Sequence, residues 1–216
     1  MSRRRTPYME PITVTAAAKG FTCNAYLVPG STTTLVDAGT MSGVEDVIAD
    51  HVDDLDRVVL THQHADHVGE LDAVLDAFGA DLYAYGDHPR RDVAIADGDE
   101  VTVGDERCEV VYTPGHAVDH VAFVGTDRLY SGDVVVYNDG AFEDGSFGRT
   151  DMTGQSRERL IESLQDLLDR LPDSVSELYA GHGDVYREAE GDESVHAVIE
   201  RALDRAERRE PKYPDE

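Results

Sequence analysis

In "VVLTHQHADHVGEL", residues 58–71, three histidines and an aspartate fall within six positions, directly after an apolar run. Imidazole nitrogen and carboxylate oxygen are ligands for divalent metals, so the crowding of His62, His64, Asp66 and His67 points to a cation site. In an extended segment residues two apart point the same way, so His62 and His64 can grip one ion together. Asp66 and His67 open the helix that follows and are turned away from that pair by the change in backbone direction. Two sets of ligands imply two metal sites side by side. A single histidine here would be unremarked surface or core. The spacing H-x-H-x-D-H is expected by chance, from this composition, about two times in a thousand.

Two sites need further ligands, and three candidates follow. "YTPGHAVDH" presents His116 on a Pro-Gly turn, "LYSGD" presents Asp133 after a glycine, and "LYAGHGD" presents His182 between two glycines. Each alone is common turn chemistry. Together they recur at the ends of β-type runs, which would let them converge on one edge of a sheet.

The elements that must position these residues can be read from the pattern. "PITVTA", "NAYLV" and "TTTLVDAG" are short β-type runs separated by turn residues. A helix follows from Ser42 to about Asp50, with Ser42 as N-cap. "RVVL" is a buried strand. "DHVGELDAVLDAF" places Val68, Leu71, Val74, Leu75 and Phe78 at helical spacing and ends at Gly79. "DLYAY", "EVTV", "CEVVYT", "HVAFVG" and "RLYSG" are further strands. "SRERLIESLQDLLDRL" is an amphipathic helix stopped by Pro172, "SELYAG" a last strand, and "ESVHAVIERALDRAERRE" a closing helix. This order predicts an α+β protein with two facing sheets and helices outside, a four-layer αββα sandwich. No repeat or linker divides it. The expected organisation is a flexible N-terminus at 1–11, one domain at 12–209 and a C-terminal tail at 210–216.

Composition narrows the function classes. The chain has 216 residues and a formal net charge of −26, from 19 basic against 45 acidic residues. Such a surface repels phosphate backbones, so no nucleic-acid partner is expected. The acidic residues are spread along the chain, and the basic ones include only two lysines, Lys19 and Lys212; this reads as a halophilic coat suited to high ionic strength. No apolar run is long enough to span a membrane, and "MSRRRTPYMEPITV" lacks the apolar stretch of a signal peptide, so a cytoplasmic location is expected. Cys23 and Cys108 form no CxxC pair and read as structural.

"THQHADH", "TPGH", "SGD" and "AGHG", in this order and with "LVDAG" upstream, resemble the metallo-β-lactamase-fold hydrolase superfamily over about residues 12–184. The resemblance implies the αββα fold. It places His62, His64 and His116 on a first metal, Asp66, His67 and His182 on a second, and Asp133 between them. Asp37 in "VDAG" matches a motif aspartate that stands behind the ligands and orients a histidine. Zinc suits the donor set, as do iron and manganese.

Two metals about 3.5–4 Å apart would share a water and acidify it, giving a hydroxide that attacks a polarised carbonyl. Asp66 would serve the catalysis by steering that nucleophile or passing its proton. No G-x-S-x-G elbow competes with this reading. "GSFGRTDMTG" resembles the "GRTD" loop of the glyoxalase II-like branch, the hydroxyacylglutathione hydrolases, whose substrates are small-molecule thioesters. The same loop occurs in persulfide dioxygenases. Arg149 and Asp151 match it; Arg149 would brace the loop behind the ligands or reach a substrate carboxylate, and bracing is the expected role. After His182 the chain shows one helix where glyoxalase II carries a longer helical region. The expected activity is therefore thioester hydrolysis on two divalent metals. The alternative on the same fold is a persulfide dioxygenase using one iron on His62, His116 and Asp133. A non-catalytic scaffold is disfavoured, because buried His and Asp side chains without a metal would cost stability.

Overall fold

The computed structural model describes residues 9–210 and 212. The triple arginine and most of the two expected terminal tails lie outside the described residues.

The apolar runs form two six-stranded sheets. The first consists of β1 (Ile12–Thr13), β2 (Tyr26–Val28), β3 (Thr34–Val36), β4 (Arg57–Val59), β5 (Asp81–Ala84) and β6 (Val93–Ala94), side by side in chain order. The second consists of β7 (Glu100–Val103), β8 (Glu106–Tyr112), β9 (Val121–Val124), β10 (Arg128–Gly132), β11 (Glu177–Ala180) and β12 (Tyr186–Arg187), again in order. β3 through β6 run parallel, as do β10 and β11. Parallel neighbours need a crossover, and helices supply the longer ones. These are α1 (Val44–Ala49), then α2 (Ala65–Val68) with α3 (Leu71–Phe78), and α4 (Arg157–Arg170). A fifth helix, α5 (Val195–Glu207), closes the fold.

Strand alternation sorts the core into three layers. Tyr26, Val28, Val36 and Val59 face Val110, Val121, Phe123, Tyr130 and Tyr179 between the sheets. Their neighbours Leu27, Leu35, Val58 and Leu82 point outward, under Val44 and Ile48 of α1 and Leu71, Val74 and Leu75 of α3. On the other side Val111, Ala122, Leu129 and Leu178 lie under Leu160, Leu164 and Leu167 of α4 and Val198, Ile199 and Ala202 of α5. Burial on both faces explains why the strands read as continuous apolar runs instead of alternating ones. The fold is the αββα sandwich that the element order predicts.

Local details differ from the sequence reading. Ser42 is not the cap of α1: Gly43 holds that position, and the Ser42 hydroxyl donates to Glu70. The expected helix over "DHVGELDAVLDAF" is two helices. Ala38 N–H and Gly39 N–H both donate to the His67 carbonyl, and Glu70 N–H donates to the Gly39 carbonyl. The loop after β3 thus takes over backbone groups that would have continued α2. "PITVTA" pairs with β2 only briefly before turning at Ala16 and Ala18, which carries residues 20–22 toward the cleft described below. The two-residue strands β6 and β12 are too short to carry a periodic signal.

Gly115, just before His116, has a positive φ of 137°, and a Cβ there would lie 2.5 Å from the backbone nitrogen of Leu160. The turn is pressed on α4, and Ser156 N–H donates to the Gly115 carbonyl. Gly115→Ala is therefore expected to lower stability by about 3 kcal/mol in denaturant unfolding, through a clash plus backbone strain.

Candidate metal centre

All the loops that carry the candidate ligands leave the sheets on one edge. β4 leads through Thr61 to His62, and extended backbone at His64 (φ −66°, ψ 150°) precedes α2, which holds Asp66 and His67. β8 leads to His116, β10 to Asp133 and β11 to His182. The structure brings all seven together. Gly181 makes the approach possible, since a Cβ there would stand 2.2 Å from Asp133 Oδ1 and 2.9 Å from His67 Cε1.

Three ring nitrogens converge in the first group. His64 Nδ1 lies 3.0 Å from His62 Nε2 and 2.8 Å from His116 Nε2. The outer nitrogens of the two flanking rings are already committed. His116 Nδ1–H donates to the Arg149 carbonyl at 2.9 Å. The Thr61 hydroxyl donates to Asp37 Oδ2 at 2.7 Å and so can accept from His62 Nδ1 at 3.1 Å. Both Nε2 atoms then carry lone pairs that point at His64 Nδ1. A single proton there could satisfy only one of them at a time, whereas a cation satisfies all three. Burial lowers the pKa of His62 and His116, which favours the neutral, ligating form.

In the second group His182 Nε2 lies 3.0 Å, and His67 Nε2 3.8 Å, from Asp66 Oδ2. Asp37 fixes the His67 ring: its Oδ2 accepts from His67 Nδ1 at 2.8 Å, and its Oδ1 accepts from Thr61 N–H at 2.8 Å. Asp37 adopts a left-handed conformation (φ 58°) to reach both. Asp133 lies between the groups, with Oδ2 at 3.3 Å from His116 Nε2 and 3.5 Å from His182 Nε2, and Oδ1 at 3.5 Å from His67 Nε2.

The residues fit divalent cations on a direct test. His67 Nε2 and Asp133 Oδ1 are buried side-chain atoms without a hydrogen-bond partner, and such orphans are costly unless a metal engages them. The sets His62–His64–His116, Asp66–His67–His182 and His62–His67–Asp133 each bring their ligand atoms within 4.8 Å of one another. Burial opposes the charged forms, yet the surrounding charges win at several members. His182, His67 and His116 hold Asp133 well below the carboxylate range, the His182 hydrogen bond lowers Asp66, and Asp133 and Asp66 raise His182. His67 is raised well above the imidazole value, burial being outweighed by the carboxylates of Asp37 and Asp133. Cys23 is a neutral thiol, pushed up to about 11 by burial.

Arg149 contributes through both its backbone and its side chain. Its carbonyl is what holds His116, while its guanidinium makes a two-point pair with Asp151 at 2.8 and 2.6 Å. His120 is fully buried behind Asp133. Its Nδ1 meets the Thr113 hydroxyl at 2.7 Å, and its Nε2 accepts from Asp133 N–H at 3.0 Å. The four-residue spacing from His116 is its only sequence signal. Thr61 and Lys212 carry none. Lys212, read as tail, is buried with its ammonium on Asp139 and the Phe147 carbonyl.

A cleft of about 720 Å³ opens over the centre, lined by His64, Asp66, His116, Asp133 and His182, and by Phe21, Arg149, Met152 and Lys212. No helix among the described residues is long and apolar enough to cross a membrane.

Residues 18–92 match the metallo-beta-lactamase superfamily, and this stretch contains "THQHADH". The chain is 30% identical over 151 residues to a hydroxyacylglutathione hydrolase of Aliivibrio fischeri, covering 68% of this chain and 56% of that protein. It thus spans little more than half the length of that relative. It is 30% identical over 148 residues to the probable metallo-hydrolase YqgX of Bacillus subtilis, covering 58% of this chain and 67% of that one. The crystal structure of ETHE1 from Myxococcus xanthus superposes with a TM-score of 0.66 at 26% identity, covering 88% of both chains. A sandwich of this topology, a histidine–aspartate centre on its edge and a metallo-hydrolase relative matched over two thirds of its length agree: the chain belongs to the metallo-β-lactamase superfamily.

Proposed function

We propose that the chain is a dinuclear metal-dependent hydrolase, a glyoxalase II-like thioesterase. In this reading His62, His64 and His116 hold one cation, Asp66, His67 and His182 hold the other, and Asp133 serves both. The observation that carries it is the position of Asp133, whose Oδ2 lies within 3.5 Å of a histidine from each set. Two divalent cations so held would acidify a water and polarise a carbonyl. Zinc is our assignment, with iron and manganese suited to the same donors.

The chain's own residues do the rest. Asp37, Thr61 and the Arg149 carbonyl hold the rings with their lone pairs inward, which pre-organises the centre before substrate arrives. Asp66 lines the open cleft with its side chain 20% exposed, the wettest carboxylate of the centre. It is placed to orient the attacking water and to take its proton on the way to the leaving thiolate. His182, 3.0 Å from Asp66, steadies that carboxylate.

The second reading, a mononuclear iron persulfide dioxygenase, is favoured by one observation. His116 Nε2 lies 3.3 Å from Asp133 Oδ2, and with His62 these residues would supply the two histidines and one carboxylate such an iron takes. Metals per chain, measured by elemental analysis on protein purified without air or added metal, separate the two. About two per chain with release of thiol from a thioester is the expected result. One iron per chain, with oxygen uptake on a persulfide, would establish the alternative, and absence of metal would reject both.

The acidic surface supports a protein of high-salt surroundings. Self-repulsion among 45 acidic groups is screened within a few ångströms at molar salt. Stability should therefore rise by about 2–3 kcal/mol from low to molar salt, about 5–10 °C in Tm. A Tm independent of salt would sink the halophilic reading.

A further inference from the structure

We propose that the substrate group beside the scissile bond is uncharged and apolar, alkyl or aryl, and is received against Phe21 and Met152 in the cleft. This rests on the thioesterase reading and names its substrate class. Among the described residues the exposed large apolar side chains are Met9, Phe21, Val118 and Met152, and two of these four line this one cleft. Phe21 is 78% exposed, and its loop is tied down by hydrogen bonds. The Thr40 hydroxyl donates to the Phe21 carbonyl at 2.8 Å, and Thr40 N–H donates to the Thr22 hydroxyl at 2.8 Å. The ring stacks on His182 with centroids 5.1 Å apart and planes 14° apart. An apolar face therefore adjoins the metal centre itself, where the group attached to the reacting carbonyl must lie.

The charges of the cleft beyond the centre are matched in pairs. Lys212 meets Asp139 at 2.5 Å, and Arg149 grips Asp151. On a chain of −26 this is a locally neutral wall, and it offers an apolar group no unmatched charge to bury. The volume of about 720 Å³ leaves room for such a group beside the carbonyl and its thiol.

The test uses the metal-loaded full chain and thioesters of one uncharged thiol, N-acetylcysteamine, bearing hydroxyacetyl, acetyl, butyryl, hexanoyl and phenylacetyl groups. We expect kcat/KM to rise about threefold per methylene from acetyl to hexanoyl, and hydroxyacetyl to be poorer than butyryl. Phe21→Ala and Met152→Ala should flatten the series, with metals per chain measured in each so that a disturbed centre is recognised. A flat or falling wild-type series, or a slope kept in both variants, would overturn the proposal. If no thioester is turned over, the thioesterase reading fails by itself, and calorimetric titration with aceto-, butyro- and hexanohydroxamate then decides the subsite. Affinity rising with chain length in the wild type, and not in Met152→Ala, would uphold it; equal affinities would overturn it.

Discussion

Asp133→Asn is expected to lower thioester turnover about 10³-fold, equal to about 4 kcal/mol of lost transition-state stabilisation. Metal should fall from the proposed two per chain to one or fewer. Asp133 is the carboxylate that reaches both sets of histidines, and its Oδ1 is buried without a hydrogen-bond partner. Asparagine keeps the shape, removes the charge and turns an N–H donor toward ligands that offer lone pairs. His67, His116 and His182 then lose the carboxylate whose ionised form they favour in the native protein. Elemental analysis and a thiol-release assay check the two halves separately. Turnover preserved with metal retained would mean that the chemistry does not depend on a shared carboxylate, and the dinuclear reading would fall.

The second large effect concerns a residue that touches no ligand atom. His120→Ala should destabilise the protein by about 4 kcal/mol, combining a cavity with two buried polar groups left unpaired. Burial pushes the His120 pKa well below the imidazole value, so the ring is neutral. It donates from Nδ1 to the Thr113 hydroxyl and accepts at Nε2 from the Asp133 backbone. Loss of that acceptor frees the turn that aims Asp133, and metal affinity should weaken by about 10–100-fold. Denaturant unfolding of the metal-free protein reads the first effect, and competition with a chelator reads the second. Destabilisation with unchanged affinity would reduce His120 to a core residue.

Much of this protein is legible in its residues. The element order implies the αββα layers, because apolar runs of strand length alternate with helical periodicities in only a few compact ways. The spacing of "THQHADH" implies a metal corner, since ligands close in sequence need only local geometry to meet. Helix breaks and caps are less legible. Gly43 replaces Ser42 at α1, and the helix after His64 divides because the loop at Ala38–Gly39 takes its carbonyl. A backbone hydrogen bond from Gly39 to His67 leaves no trace in local propensity.

What the sequence by itself determined was the inventory of the centre and the sheets that carry it, because ligand chemistry and strand periodicity are properties of neighbouring residues. What only the tertiary structure decided was how the inventory is held. Arg149 acts on His116 through its carbonyl, His120 lies behind Asp133, Lys212 returns from the far end to meet Asp139, and Phe21 is set against His182. Each of these joins residues that are far apart in the chain or uses backbone atoms that every residue shares. Such contacts carry no sequence pattern and come into being only when the two sheets close on each other.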